Sequence, residues 1–190
     1  MRIFISILSL TFIALACQPP VDNSASEAFE KNSATVQAYL DAWQTENVDY
    51  DQFFTEDAMV RPTAVGTPDT VLMADMKSSD IRNWSALDFE IPKDIVFLPG
   101  VKPETKEMDG SVRYYGNWKV IIPESDSTER TEIVMKLYQS FDFNEDGKIW
   151  FMQSYGDWGG MLDIYEDVME GEEEEDSMED TEMEEDTVEM

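Results

Sequence analysis

Val112-Arg113-Tyr114-Tyr115-Gly116-Asn117-Trp118-Lys119-Val120-Ile121-Ile122 alternates apolar with polar side chains over eleven residues. Period two is the signature of a strand with one face buried and the other wet. Val112, Tyr114, Gly116, Trp118, Val120 and Ile122 form the inner set, and Arg113, Tyr115, Asn117 and Lys119 the outer one. Downstream, Ile133, Met135, Leu137, Gln139, Phe141 and Phe143 repeat the pattern. After the turn Asn144-Glu145-Asp146-Gly147, a last strand places Ile149, Phe151, Gln153, Tyr155 and Asp157 on one face. Three strands in hairpin order predict an antiparallel sheet.

Upstream the period changes. Phe29, Ser33, Val36, Tyr39, Leu40 and Trp43 recur at helical spacing. Ser24 with Glu27 fits a capping box at the start of that helix. A second helix is predicted from Asp49, with Tyr50, Phe53 and Phe54. A short strand, Ala58-Met59-Val60-Arg61, is stopped by Pro62. A third helix is predicted from Thr67 as N-cap and Pro68 at its first position, carrying Val71, Leu72, Met76, Ile81 and Trp84. Phe89 to Leu98 reads as a strand broken at Pro92. Helices first and hairpins after give an α+β class.

The N-terminus carries different information. Arg2 precedes a short apolar run, residues 3–16, and the chain's one cysteine, Cys17, follows. The run is shorter than the roughly 20 residues a membrane span needs. Its charge, length and small residues follow the pattern of a secretory signal. Ala14-Leu15-Ala16-Cys17 is similar to a bacterial lipobox, which implies cleavage before Cys17 and attachment of acyl chains, palmitate among them. A plain signal peptide with Cys17 as a spare thiol is the alternative. The expected organisation is a signal peptide at 1–16, a tether at 17–26, one domain at 27–165 and an acidic disordered tail at 166–190. The expected address is the bacterial cell envelope, held by the lipid anchor. Gln18 in place of Asp at the residue after Cys17 favours the outer membrane.

Charge narrows the partners. The chain has 42 acidic and 13 basic residues. The segment 166–190 contains fifteen of the acids and no base, yet the remainder without Arg2 still has 27 acids against 12 bases. Phosphate backbones require a basic surface, so nucleic acid is excluded as a partner. No histidine is present and cysteine occurs once, so sites built on several His or Cys ligands are excluded. No cofactor is expected.

Val36-Gln37-Ala38-Tyr39-Leu40-Asp41-Ala42-Trp43, followed by Asp49-Tyr50-Asp51-Gln52-Phe53-Phe54-Thr55-Glu56-Asp57-Ala58, resembles the opening of nuclear transport factor 2-like proteins, including the SnoaL-like group. The hairpin Phe141 to Ile149 is also similar. The resemblance extends over residues 27–160 and implies a cone-shaped, curved antiparallel sheet wrapped by three N-terminal helices around a pocket, the cystatin-like arrangement. It implies pocket positions at Tyr39, Trp43, Tyr114, Trp118, Tyr155 and Asp157. Isomerase-like members place a carboxylate base after the first strand, where this chain has Arg61-Pro62-Thr63, so that chemistry is not expected. Cyclase-like members use a late carboxylate, and Asp157 is the candidate. A desolvated Asp157 would act as acid or base with Tyr39 or Tyr155 orienting substrate; otherwise it is solvated or caps the turn at Gly159-Gly160.

Asp142, Asn144 and Asp146 spell half of a calcium loop, but Gln153 stands where a bidentate Glu is needed, and a Gly147 hairpin explains the same letters. Three functions remain open: binding of a small apolar ligand without catalysis, a SnoaL-like lyase, cyclase or isomerase, and a homodimeric interaction scaffold. For the last, Trp150, Met152 and Trp158 are read as apolar residues on the outer sheet face.

Overall fold

The computed structural model describes residues 22–63, 65–125 and 128–170. The signal segment, Cys17, most of the tether and residues 171–190 of the tail lie outside the described residues. Helix α1 (Ser24–Gln44) is capped by Asn23, one residue before the expected Ser24, and Glu27 N–H donates to the Asn23 carbonyl at 3.0 Å. A four-residue helix, α2 (Tyr50–Phe53), runs directly into strand β1 (Phe54–Arg61). Next come β2 (Val71–Leu72) and helix α3 (Met73–Ala86), then β3 (Asp88–Glu90) and β4 (Phe97–Val101). The long strands β5 (Met108–Ile122), β6 (Thr131–Phe143) and β7 (Ile149–Gly156) follow. A last helix, α4, spans 158–170, beyond the residue 165 expected to end the domain.

The sheet order is β2-β1-β7-β6-β5-β3, with β4 also on β5. β5 pairs with β6 over eleven residues, from Val112↔Phe141 to Ile122↔Thr131, as the alternation requires. One pairing departs from the all-antiparallel expectation: β1 lies parallel to β7, and the sheet is mixed. The rest of the fold class stands, a curved α+β sheet with helices across its concave side. α1 lies there, sending Val36, Tyr39, Leu40 and Trp43 into the core against Val112, Tyr114, Trp118 and Phe141. The Asn32 amide donates to the Gly110 carbonyl at 2.8 Å, tying helix to sheet through a buried bond.

Two elements start elsewhere than read. Val71 and Leu72 pair with Val60 and Met59, so the third helix begins at Met73 and not at Pro68. Strand pairing takes the residues that helix grammar had claimed. The segment from Phe89 to Leu98 forms two strands, β3 and β4, each paired with β5.

The largest departure lies in β7. Asp142 faces Phe151 but Phe143 faces Ile149, so Trp150 has no partner on β6 and bulges out. One extra residue reverses the faces beyond it. Ile149 points inward, and after the bulge Met152 and Ser154 do so, whereas Tyr155 is left exposed.

Candidate functional site

The curved sheet and α1 do not meet completely. Between them and α3 lies a cavity of about 210 Å³. Tyr39 and Trp43 of α1 form one wall, and Met73, Met76, Asp80 and Asn83 of α3 another. Trp118 of β5 and Gln139 of β6 form the floor. Arg61, Pro62 and Thr63 after β1, Met152 and Ser154 of β7, and Trp158 of α4 complete the lining. The four α3 residues recur at spacings of three, four and three, so one stripe of that helix faces the cavity.

Asp80 is the chemically unusual member. It is only 8% exposed, and the Tyr50 hydroxyl donates to its Oδ2 at 2.6 Å. The Trp43 indole N–H also donates to it. Burial raises its carboxyl above the ordinary carboxylate value, and the two hydrogen bonds offset only part of that rise. Tyr50 is raised by burial and by its bond to Asp80. Tyr39, fully enclosed, is raised well above the phenol value by burial first and the Asp80 charge second. Two further polar groups face the same space without a hydrogen-bond partner, Gln139 Oε1 and Ser154 Oγ. Thr63 is committed, donating to the Ser154 carbonyl at 2.6 Å.

Tyr50→Phe removes one of the two donors to Asp80. The folded carboxyl, already above the unfolded value near 3.8, then rises further. Asp80 therefore favours the folded state fully below that value, and the benefit is lost as pH rises through the folded pKa. The variant is expected to lose about 1–3 kcal/mol at neutral pH, since a bond to a charged group is removed. At pH 3.5 it should lose less. Urea unfolding at the two pH values checks this, and an equal loss at both would contradict it.

Of the expected pocket residues, the structure brings Tyr39, Trp43 and Trp118 to the cavity. Tyr114 lies beneath it in the core, its hydroxyl accepting from Trp118 Nε1 at 3.0 Å. Tyr155 and Asp157 do not join them. Tyr155 stands on the outer face, in ring contact with Tyr138, which contacts Tyr115 in turn. Asp157 is exposed, and its Oδ1 accepts from Gly160 N–H at 3.0 Å, so it caps α4 and cannot act as an acid or base inside the cavity. Its expected orientation fails because of the Trp150 bulge. The same bulge turns Met152 inward, and Trp158 lines the cavity from α4, so of the three residues assigned to the outer face only Trp150 is exposed there.

The calcium-like letters form a hairpin. Asn144 Oδ1 accepts from Lys148 N–H at 2.9 Å, and Gly147 has φ of 79°. Asp142 is ion-paired with Arg113 at 3.1 Å. Among the described residues no three acidic or cysteine side chains are grouped to hold a metal.

Sequence reading missed Asp80, the residue about which the site is organised. An acid flanked at helical spacing by Met76 and Trp84 is the signal that marks it. Gln139, the one polar member of the inner set on its strand, is a second such signal.

A curved mixed sheet, helices across its concave side and a cavity between them form a fold of the nuclear transport factor 2-like type. Solved structures share it. A protein assigned as a polyketide cyclase from Xanthomonas campestris pv. campestris superposes with a TM-score of 0.50 at 19% identity, covering 67% of this chain and 91% of its own. A phenazine biosynthesis-related protein from Pseudomonas aeruginosa gives 0.51 at 15%, covering 80% and 90%. A protein assigned as a SnoaL-like polyketide cyclase from Shewanella putrefaciens CN-32 gives 0.50 at 10%, covering 77% and 95%. At these identities the likeness is one of fold. No family model and no curated protein matches the sequence.

Proposed function

We propose that the protein is a lipoprotein of the bacterial envelope, anchored through Cys17, whose domain holds a small apolar or amphipathic ligand without transforming it. The observation carrying this reading is the cavity itself. Its lining is led by Met and Trp side chains, with a few polar groups, Asp80, Asn83, Gln139 and Ser154, set among them, the composition of a ligand site. Among the described residues no helix is long and apolar enough to cross a membrane. In this reading the attachment is acylation of Cys17. Several acyl chains on one residue hold a protein stably, where a single chain binds reversibly.

Native mass spectrometry of the full-length protein, released from detergent after gentle purification from its host, tests the ligand. A retained small molecule supports the reading, and an empty monomer refutes it. For the anchor, Cys17→Ser should move the protein from the membrane fraction to the soluble one; an unchanged distribution refutes acylation there.

Two other readings have specific support. Catalysis would rest on Asp80, since it is the carboxyl buried in the cavity; turnover abolished by Asp80→Asn would establish it. Assembly through the outer sheet face is favoured by Tyr115 and Tyr155, which stand exposed beside Tyr138. A dimer mass in the same spectrum would establish that.

A further inference from the structure

We infer, resting on the ligand-binding reading above, that the molecule the cavity takes is a small amphipathic amine, its ammonium group seated at Asp80 and Gln139 and its apolar body against the methionines. The argument starts from an imbalance of charge. Among the described residues Asp80 forms no ion pair with Lys or Arg, and its only partners are the neutral donors Tyr50 and Trp43. A buried carboxylate with neutral donors alone has lost more hydration than those bonds return. A cation in the adjacent space removes that deficit.

The rest of the lining agrees with a donor-rich cation. Gln139 is 5% exposed and its Oε1 has no partner, so a second acceptor faces the cavity unsatisfied. An ammonium has three N–H donors, enough for both acceptors. A neutral alcohol has one donor and leaves the charge unanswered, and a carboxylate ligand is repelled. Trp43, Trp118 and Tyr39 supply aromatic surface that favours cations. Met73, Met76 and Met152 supply adaptable apolar surface for the body of the ligand. The one cationic residue of the lining, Arg61, is exposed and stacked over Phe151, its guanidinium carbon 5.3 Å from the ring centroid. The strongly acidic chain also draws cations toward it.

Three probes of one shape separate the possibilities: benzylamine, benzyl alcohol and benzoate, titrated at pH 7 into the full-length protein in lipid nanodiscs. Trp43, Trp118 and Trp158 line the cavity, so tryptophan emission reports binding. Benzylamine is expected to bind at least about tenfold more tightly than benzyl alcohol, a difference an added ionic contact supplies, with benzoate weakest. In Asp80→Asn that preference should vanish while the alcohol still binds. If Asp80→Asn fails to fold, the ranking in the unaltered protein decides alone. Equal binding of amine and alcohol, or a preference for benzoate, overturns the amine inference and leaves the apolar cavity standing. No saturable change with any of the three overturns both readings.

Discussion

Trp43→Ala is expected to destabilise the domain by about 4 kcal/mol, the range for removing a large buried aromatic. Trp43 is 5% exposed and its ring meets three others: Trp84 at 5.6 Å, Phe89 at 4.8 Å and Trp118 at 4.9 Å between centroids. These rings come from α3, β3 and β5, so the residue ties α3 to the paired strands β3 and β5. Its removal also strips Asp80 of a donor, adding desolvation of a buried acid to the cost of the void. A loss of this size is a large part of the 5–15 kcal/mol that holds an ordinary domain together. The melting temperature should fall by about 10 °C. Trp43→Phe keeps most of the packing but not the indole N–H, so it should lose clearly less. If the two variants unfold at the same urea concentration, the ring contacts contribute little and the bond to Asp80 dominates.

Gly116→Val should be nearly as severe, for a steric reason. A Cβ at Gly116 would lie 1.7 Å from the Tyr114 hydroxyl oxygen and 2.2 Å from the ring carbon bearing it. The tyrosine ring thus lies over the glycine two residues along its own strand, covering backbone that would otherwise lack a side chain. Tyr114 is 1% exposed and its hydroxyl holds Trp118, so it cannot swing away cheaply. The expected cost is about 3 kcal/mol, the upper part of the range for overpacking. A double-mutant cycle isolates the cause. In a Tyr114→Leu background the Gly116 substitution should cost much less. An unchanged cost would place the strain in the strand itself.

The fold was legible where one period ran unbroken. The inner and outer sets of β5 and β6 emerge as read, and so does the stripe of α1, because core burial rewards a strict repeat. Legibility failed where a single residue interrupts the count. Trp150 gives no compositional sign of bulging, since an exposed tryptophan and a buried one are the same letter. The reading of Phe151, Gln153 and Tyr155 as inward is therefore reversed beyond the bulge, and Asp157 follows the strand as an exposed helix cap. Likewise Thr67-Pro68 carries a proper helix-start signal, yet pairing with β1 placed Val71 and Leu72 in the sheet. The site was half legible. Tyr39, Trp43 and Trp118 follow from periodicity, whereas Asp80 looks like any surface acid until α1 and α2 bring Trp43 and Tyr50 to it.

The parallel contact of β1 with β7 sets an order of events as well as a shape. Synthesis proceeds from the N-terminus, so β1 leaves the ribosome long before its neighbour exists. Its buried residues Ala58 and Val60 can be enclosed on that edge only when residues 149–156 appear. Pairing across so long a loop is slow, because closure entropy is lost before contacts compensate. A chain truncated before β7 should remain unfolded. The same delay keeps the nascent polypeptide open until β7 has been made.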